Sequence, residues 1–110
     1  MAERTRRITD YAGRSVRLTA ERLVHIHEHP EMIGQERRIG EVLKRPDVVY
    51  TSHKDPSVQL YYRRYERSPV GSKQLMVAVK ALEEDAFVIT AFFTDEVKGT
   101  EQIWPKKSHG

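Results

Sequence analysis

The sequence predicts an α+β domain in which two N-terminal helices pack on one face of a four- to five-stranded antiparallel sheet. Two observations support this prediction. Between residues 20 and 45, apolar residues recur at helical spacing, and after Pro46 they alternate with polar residues instead. The segments after Pro46 are also rich in β-branched and aromatic residues, as strands are. Helices that precede a run of strands are typical of a helical layer on an antiparallel sheet.

The composition indicates a single soluble domain. Of the 110 residues, 38% are hydrophobic and 32% are charged, and the length fits one domain but not two ordinary ones. No run of about 18 apolar residues could span a membrane, and the Arg-rich start lacks the apolar segment of a secretory signal. The absence of cysteine excludes disulfides, Cys-ligated zinc and a thiol nucleophile. We therefore expect a cytoplasmic protein that does not associate with membranes.

The net charge of +3 is concentrated at the two ends of the sequence. Residues 1–14 and 106–110 each sum to +2, so the segment between them sums to −1. Basic ends can contact phosphates, but they are also common solubilising termini. We expect a polar, flexible lead-in over 1–14, one domain over 15–105 and a basic tail over 106–110. Removal of such a lead-in should change the stability little, because it lacks an apolar period.

The first predicted elements are a short strand over 15–18 and two helices. Thr19 is a good N-cap for a helix from Ala20 to about His29, and Pro30 disfavours helical geometry at the residue before it. A second helix is predicted over 33–45, where Gly34 and Gly40 either weaken the helix or mark close packing. Its core-facing residues are Ile39, Val42 and Leu43.

Turn-forming residues divide the rest of the sequence into predicted strands. These strands cover 48–52, 58–65, 74–82 and 87–94, with a short last strand over 102–104. In the third and fourth of them the odd-numbered residues are apolar, so paired residues should have numbers with an even sum. This register places Lys80 and Thr90 together on the outer face of the sheet, away from the helices. In the preceding strand Val58 and Leu60 are predicted to point inward, which places Tyr61, Arg63 and Tyr65 on the same outer face.

Three histidines between residues 25 and 29 are candidates for chemistry. On a helix, His25 and His29 are neighbours and His27 points elsewhere. The pair could join a zinc site, but only Glu28 or His53 offers a third ligand, and the H-E-x-x-H motif is absent. The histidines could also be ordinary surface or helix-capping residues. A third interpretation is acid–base catalysis, because histidine is suited to proton transfer near neutral pH.

Two further groups could contact a nucleic acid. The Tyr-Tyr-Arg-Arg-Tyr run at 61–65 could stack a base and pair with a phosphate, although Tyr and Arg are also ordinary residues of an exposed strand. Lys80 lies within an apolar strand and could neutralise a pentavalent phosphate while Thr90 donates a hydrogen bond. The alternative for Lys80 is protection of a sheet edge, or an ammonium that reaches out to water.

The order of these signals resembles the phage branch of the Barnase–EndoU–colicin–RelE nuclease superfamily over roughly residues 16–105. The motifs that carry the resemblance are HIHEHPE at 25–31, VLKRPDVV at 42–49, LYYRRY at 60–65, LMVAVK at 75–80, FVITAFFTD at 87–95 and IWP at 103–105. The resemblance implies N-terminal helices on a four-stranded antiparallel sheet. It also implies metal-independent RNA cleavage, in which the ribose 2′-hydroxyl attacks the adjacent phosphate, with no cofactor.

The resemblance assigns roles to several positions. His25 or His29 would be the acid or base, Lys80 the phosphate stabiliser and Thr90 the polar strand residue of the site. The outer-face pattern adds Arg63 to this catalytic group. The expected substrate-binding residues are Tyr61, Arg64, Tyr65 and Thr94.

The expected partners are RNA and a protein inhibitor of the antitoxin or immunity type, since such a ribonuclease would act as a toxin or a phage-associated effector. Two other functions remain open at this point. One is a non-catalytic module of the same fold that binds a nucleic acid or a protein, and the other is a metal-dependent enzyme built on the histidines.

Overall fold

The computed structural model describes residues 5–106, and these residues form a seven-stranded mixed sheet with two α-helices. The strands are β1 (Thr5–Thr9), β2 (Ser15–Thr19), β3 (Val48–Thr51), β4 (Val58–Tyr65), β5 (Lys73–Ala81), β6 (Ala86–Thr94) and β7 (Gln102–Trp104). The helices are α1 (Ala20–Ile26) and α2 (Glu36–Lys44), with a 3-10 turn at Pro30–Met32 between them. The strand order is β1-β2-β6-β5-β4-β3-β7. Within the described part of the chain, no helix is both long and apolar enough to cross a membrane.

The predicted fold class, two N-terminal helices on a four- to five-stranded antiparallel sheet, is wrong. Two strands precede the helices, and β2 pairs with β6 in parallel through Arg17 and Phe87. The sequence pattern hides β1 because Ile8 is its one apolar residue, so the strand depends on pairing with β2 more than on apolar burial. Residues 5–9 of the expected lead-in are therefore a strand. Residues 1–4 and, apart from Lys106, the expected basic tail lie outside the described residues.

The two helices are shorter than predicted. Helix α1 begins where the Thr19 hydroxyl accepts a hydrogen bond from the Arg22 amide at 3.0 Å, as the N-cap prediction requires. It ends at Ile26, three residues before Pro30 would have forced an end. Helix α2 begins at Glu36, because Gly34 has a φ of +83° that is incompatible with a helix.

The sheet has two differently packed faces. The helix face carries Val77 and Tyr61 and is covered by α1 and α2, whose buried residues are Ile26, Ile39, Val42 and Leu43. The opposite face, which we call the distal face, carries a smaller apolar cluster. That cluster is formed by Tyr62, Met76 and Ala78, with Val48, Tyr50, Val58, Leu60, Ile89 and Phe92 packed against them.

A β-bulge divides the β5–β6 pair. From Gln74 opposite Thr94 to Ala78 opposite Thr90, paired numbers have the predicted even sum. Beyond the bulge the register shifts, Lys80 lies opposite Phe87, and the extra residue is Ile89. The predicted inward position of Ile89 is therefore wrong, since this side chain packs in the distal cluster.

The predicted orientation of β4 is also wrong. Val58 and Leu60 pack on the distal face, whereas Tyr61 is fully buried on the helix face. Arg63 lies opposite Leu75 of the main core, and Tyr65 packs against that core. The apolar pattern misleads here because a tyrosine can bury its ring when its hydroxyl has a partner, as both Tyr61 and Tyr65 do.

Candidate active site on the distal face

The distal face of β5 and β6 brings together Lys80 and Thr90. Thr90 lies directly opposite Ala78, and paired residues share a face. Lys80 is two residues further along β5, about 7 Å from Ala78 at the usual rise of a strand. The bulge separates the two side chains by more than the uniform register predicts, but it leaves both on this face.

His29 reaches the same face from outside the sheet. The chain turns after α1, with the His29 amide bonded to the Ile26 carbonyl at 3.0 Å. The imidazole then lies beside Phe92, with 5.3 Å between the ring centroids. Phe92 lies opposite Met76 of the distal cluster, and Thr90 follows two residues along the same strand. The exposed imidazole of His29 is therefore next to the part of the distal face that carries Thr90.

The other side of the distal face is covered by the loop over residues 95–101. The Lys98 amide donates to the Tyr62 hydroxyl at 3.1 Å, and that hydroxyl donates to the Lys98 carbonyl at 3.3 Å. Gly99 packs directly on Tyr50, because a Cβ at Gly99 would lie 2.3 Å from the Tyr50 Cβ. This contact covers the β3–β4 part of the face with backbone. A ligand would therefore meet the face on the β5–β6 side, where His29, Thr90 and Lys80 lie.

Lys80 is held by a carboxylate that the sequence analysis did not identify. Its half-buried ammonium donates a short hydrogen bond to Asp55 Oδ2. This bond, helped by the hydroxyl and the amide of Ser57, lowers the pKa of Asp55 to about 2. The lysine is thus fixed at the edge of the site, and Asp55 compensates its charge. The turn at 53–56 was visible in the sequence, but the approach of its aspartate to Lys80 was not.

The three histidines do not converge. The His25 Nδ1 is 3.7 Å from Glu28, the His27 Nε2 is 3.3 Å from Glu36, and the His29 Nδ1 is 3.9 Å from Glu31. His27 therefore links the end of α1 to the start of α2, while His25 stays exposed on α1. Across residues 5–106 there is no group of three or more His, Asp or Glu side chains that could hold a metal ion.

Tyr61, Arg63 and Tyr65 lie on the helix face, apart from His29 and Lys80. The Tyr61 hydroxyl donates to the buried Asp10 at 2.5 Å, and burial together with this bond raises the pKa of Tyr61. The Tyr65 hydroxyl donates to Glu41 at 2.6 Å, and its pKa is raised in the same way. Arg63 donates to the Arg45 carbonyl at 2.7 Å. All three side chains have partners within the protein.

Arg64 and Thr94 lie at the far end of the distal face, on either side of Gln74. Arg64 is exposed and is bonded to Glu66 at 2.9 Å and to Ser72 at 2.7 Å. The Thr94 hydroxyl accepts from the Glu96 amide at 3.2 Å. No functional role was predicted for Phe92, which carries the contact to His29, because an aromatic residue in an apolar strand is usually a core residue.

Comparison with known protein families identifies a match over nearly the whole chain. A protein-family model described as phage-Barnase-EndoU-ColicinE5/D-RelE like nuclease2 (PBECR2) matches residues 2–110, in agreement with the resemblance seen in the sequence motifs. No curated protein and no solved structure gives a significant match. Because the family model spans nearly the whole chain, the protein belongs to the PBECR2 family of phage-related, nuclease-like domains.

Proposed function

We propose that the protein is a metal-independent ribonuclease whose active site is the β5–β6 part of the distal face. The observation that carries the proposal is the position of the His29 imidazole against Phe92, on the face that displays Thr90 and Lys80. A general base, a polar strand residue and a cation then face one open surface in a nuclease-like domain. A ribonuclease of this kind would act as a toxin or a phage-associated effector.

In the proposed reaction, the ribose 2′-hydroxyl attacks the adjacent phosphorus and the bond to the 5′-oxygen breaks. His29 takes the proton from the 2′-hydroxyl, and water at the exposed face gives a proton to the departing 5′-oxygen. The products are a 2′,3′-cyclic phosphate and a free 5′-hydroxyl. The ring of Phe92 supports the imidazole and limits its rotation, so the reacting nitrogen is pre-positioned.

Lys80 and Thr90 would stabilise the charge that develops on the phosphate. The Thr90 hydroxyl would donate a hydrogen bond to a non-bridging oxygen, and the Lys80 ammonium would supply positive charge. Asp55 keeps Lys80 on the face in the absence of RNA, and the phosphate would compete with Asp55 for the ammonium. Because Asp55 reduces the net charge of the site, we expect Asp55→Asn to bind RNA more tightly than the wild type.

The test is cleavage of a single-stranded RNA by the purified protein in EDTA. His29→Ala should lower kcat by about 10²- to 10⁴-fold, the usual contribution of a general base. Lys80→Ala should lower it by about 10²- to 10³-fold, as loss of a group that stabilises an oxyanion does. The matched controls are His25→Ala on the exposed side of α1 and Lys54→Ala in the turn beside Asp55, and both should keep the wild-type rate. Unchanged kcat in His29→Ala, or cleavage that EDTA abolishes, would contradict the proposal.

A non-catalytic RNA-binding module is the second candidate function. The Lys80–Asp55 pair favours it, because a lysine already neutralised by a carboxylate is a weaker electrophilic group. Wild-type protein that binds RNA but produces no cyclic phosphate, with or without divalent metal ions, would establish this alternative.

A further inference from the structure

A basic groove lies on the helix side of the molecule, away from the distal face. Its larger part is a cavity of about 480 Å³ between β1 and α2, and a second cavity of about 220 Å³ continues it past Glu41 and Lys44. We call the two together the α2 groove. Its cations come from β1, from α2 and its C-cap residue, and from β4, and they are Arg6, Arg7, Arg37, Lys44, Arg45 and Arg63.

Two carboxylates, Glu36 and Glu41, also line the α2 groove. Glu36 is 3.3 Å from the His27 Nε2, and Glu41 accepts the Tyr65 hydroxyl at 2.6 Å. Among the described residues, Arg6, Arg37 and Lys44 make no salt bridge with a carboxylate. Six cations thus face two carboxylates in the groove, so its lining carries a net positive charge, although the sequence between residues 15 and 105 is slightly acidic.

Gly40 gives a second, independent observation. It lies in the middle of α2 and lines the larger cavity, and a Cβ built on it would meet no heavy atom within 4 Å. Glycine is a poor helix former, so a glycine in a helix usually permits close packing or a positive φ. Neither explanation applies to Gly40. Because Gly40 has no side chain, the wall of the cavity is open between Arg37 and Lys44.

We propose that the α2 groove binds the phosphate backbone of an RNA strand at a site separate from the cleavage face. The choice of RNA rests on the proposed function. Arginine guanidinium groups match phosphate oxygens in two-point hydrogen bonds, and most of the cations in the groove are arginines. An acidic protein is the less favoured ligand, because protein interfaces depend on apolar and aromatic anchors and Ile8 is the one large apolar side chain of the lining.

The test is the binding of a fluorescein-labelled oligouridylate to the full chain, measured by anisotropy over a series of salt concentrations. His29→Ala is the background, so that the RNA stays intact. Arg37→Ala and Lys44→Ala should each weaken binding and reduce the salt slope of log K by about 0.7 for each phosphate that the variant no longer binds. Arg67→Ala, an exposed arginine outside the groove, is the control and should keep nearly all of the affinity.

Gly40 supplies a matched pair of variants. Gly40→Glu adds a carboxylate at the open wall of the cavity and should lower the affinity for RNA more than tenfold at low salt. Gly40→Ala adds only a methyl group at the same position and should weaken binding much less than Gly40→Glu. Thermal unfolding of both variants checks that the helix remains intact. Equal RNA affinity for Gly40→Glu and Gly40→Ala, together with unchanged salt slopes in Arg37→Ala and Lys44→Ala, would overturn the proposal.

The experiments distinguish a failure of the proposal that the groove binds RNA from a failure of the proposal that the protein cleaves RNA. A dinucleotide is too short to reach both faces, so wild-type protein and groove variants should cleave it at the same rate. If wild-type protein cleaves no RNA but its binding still depends on Arg37, Lys44 and Gly40, the cleavage proposal fails and the groove stands. If it cleaves RNA and the groove variants bind normally, the groove proposal fails alone.

Discussion

Carboxylates hold many of the polar side chains that could act in the protein. Asp55 binds Lys80, Asp10 accepts the Tyr61 hydroxyl, and Glu41 accepts the Tyr65 hydroxyl. These contacts differ in environment, since Asp10 is buried and Asp55 and Glu41 lie nearer the surface. In each case the carboxylate fixes the position of a polar group that would otherwise be free to bind a ligand.

The Asp55–Lys80 pair should make the stability of the protein depend on pH. The pKa of Asp55 is about 2 in the folded protein, below the value of about 3.9 for an unperturbed aspartate. Ionised Asp55 therefore stabilises the fold fully above pH 4, and this contribution is lost as the pH falls through 2. We expect Asp55→Asn to be less stable than the wild type at pH 6 and the difference to disappear between pH 4 and pH 2.

Urea denaturation at a series of pH values measures this difference. Asp95→Asn is the control, because Asp95 pairs with Lys73 at 2.8 Å but is largely exposed. Exposed ion pairs contribute little to stability, so this variant should follow the wild type at every pH. A stability difference for Asp55→Asn that is constant down to pH 2 would show that Asp55 is not held ionised by Lys80.

At the scale of the elements, the loop after β6 depends on one glycine. Gly99 has a φ of +146°, and a Cβ there would lie 2.3 Å from the Tyr50 Cβ and 2.9 Å from the Thr51 carbonyl oxygen. Gly99→Ala must therefore move the loop or β3, and we expect a loss of about 1–3 kcal/mol in the free energy of unfolding, the usual cost of overpacking. Chemical denaturation measures it.

Gly40→Ala is the control for this loss, because we expect it to raise the free energy of unfolding instead of lowering it. Its added methyl group meets no atom within 4 Å and lies in a helix, so the variant should gain about 0.5–1 kcal/mol. Equal effects of the two substitutions would mean that the contact between Gly99 and Tyr50 does not determine the position of the loop.

The strands after Pro46 could be predicted from alternation and turn residues, and those predictions are confirmed to within a residue or two. Three features of the fold could not be predicted from the sequence. Strand β1 has too few apolar residues to show a pattern, the bulge at Ile89 leaves the local alternation intact, and the buried tyrosines of β4 resemble exposed ones. Each depends on a contact between distant parts of the chain, which propensity and periodicity do not contain.

The candidate site was predictable to a similar degree. The alternation of apolar residues placed Lys80 and Thr90 on one face. That inference needed only to establish which face of the sheet the even-numbered residues of β5 and β6 occupy up to the bulge. It could not place Arg63, whose orientation follows from the burial of Tyr61 on Asp10. Nor could it choose between His25 and His29 as the histidine nearer this face, because that depends on where α1 ends.

At the scale of the whole molecule, the segment before β2 is part of the core. Ile8 packs against the main core cluster, Asp10 is buried, and the Tyr11 amide donates to the Leu43 carbonyl at 3.0 Å. The composition of residues 1–14 predicts instead that their removal is tolerated. Deletion would expose the Tyr61 hydroxyl site and uncover one edge of β2.

We therefore expect deletion of residues 1–14 to lower Tm by more than 10 °C or to prevent folding. The deletion should remove several kcal/mol of stability, and in a domain of this size each kcal/mol lowers Tm by about 4–8 °C. Differential scanning calorimetry measures the shift. A variant that keeps residues 1–14 and carries Tyr61→Phe should lose only part of this stability, because it removes one buried hydrogen bond. A Tm within a few degrees of the wild type for the deletion would contradict the structural role of β1.

The parallel pairing of β2 with β6 has a consequence for synthesis of the protein on the ribosome. Arg17 and Phe87 are 70 positions apart, and at ordinary elongation rates the second emerges roughly 4–14 s after the first. Until then β2 lacks β6 as a partner, and His29 lacks Phe92. The nascent chain therefore cannot complete the proposed site before Phe92 has been translated. If the proposed function holds, cleavage of RNA can begin only after β6 has left the ribosome.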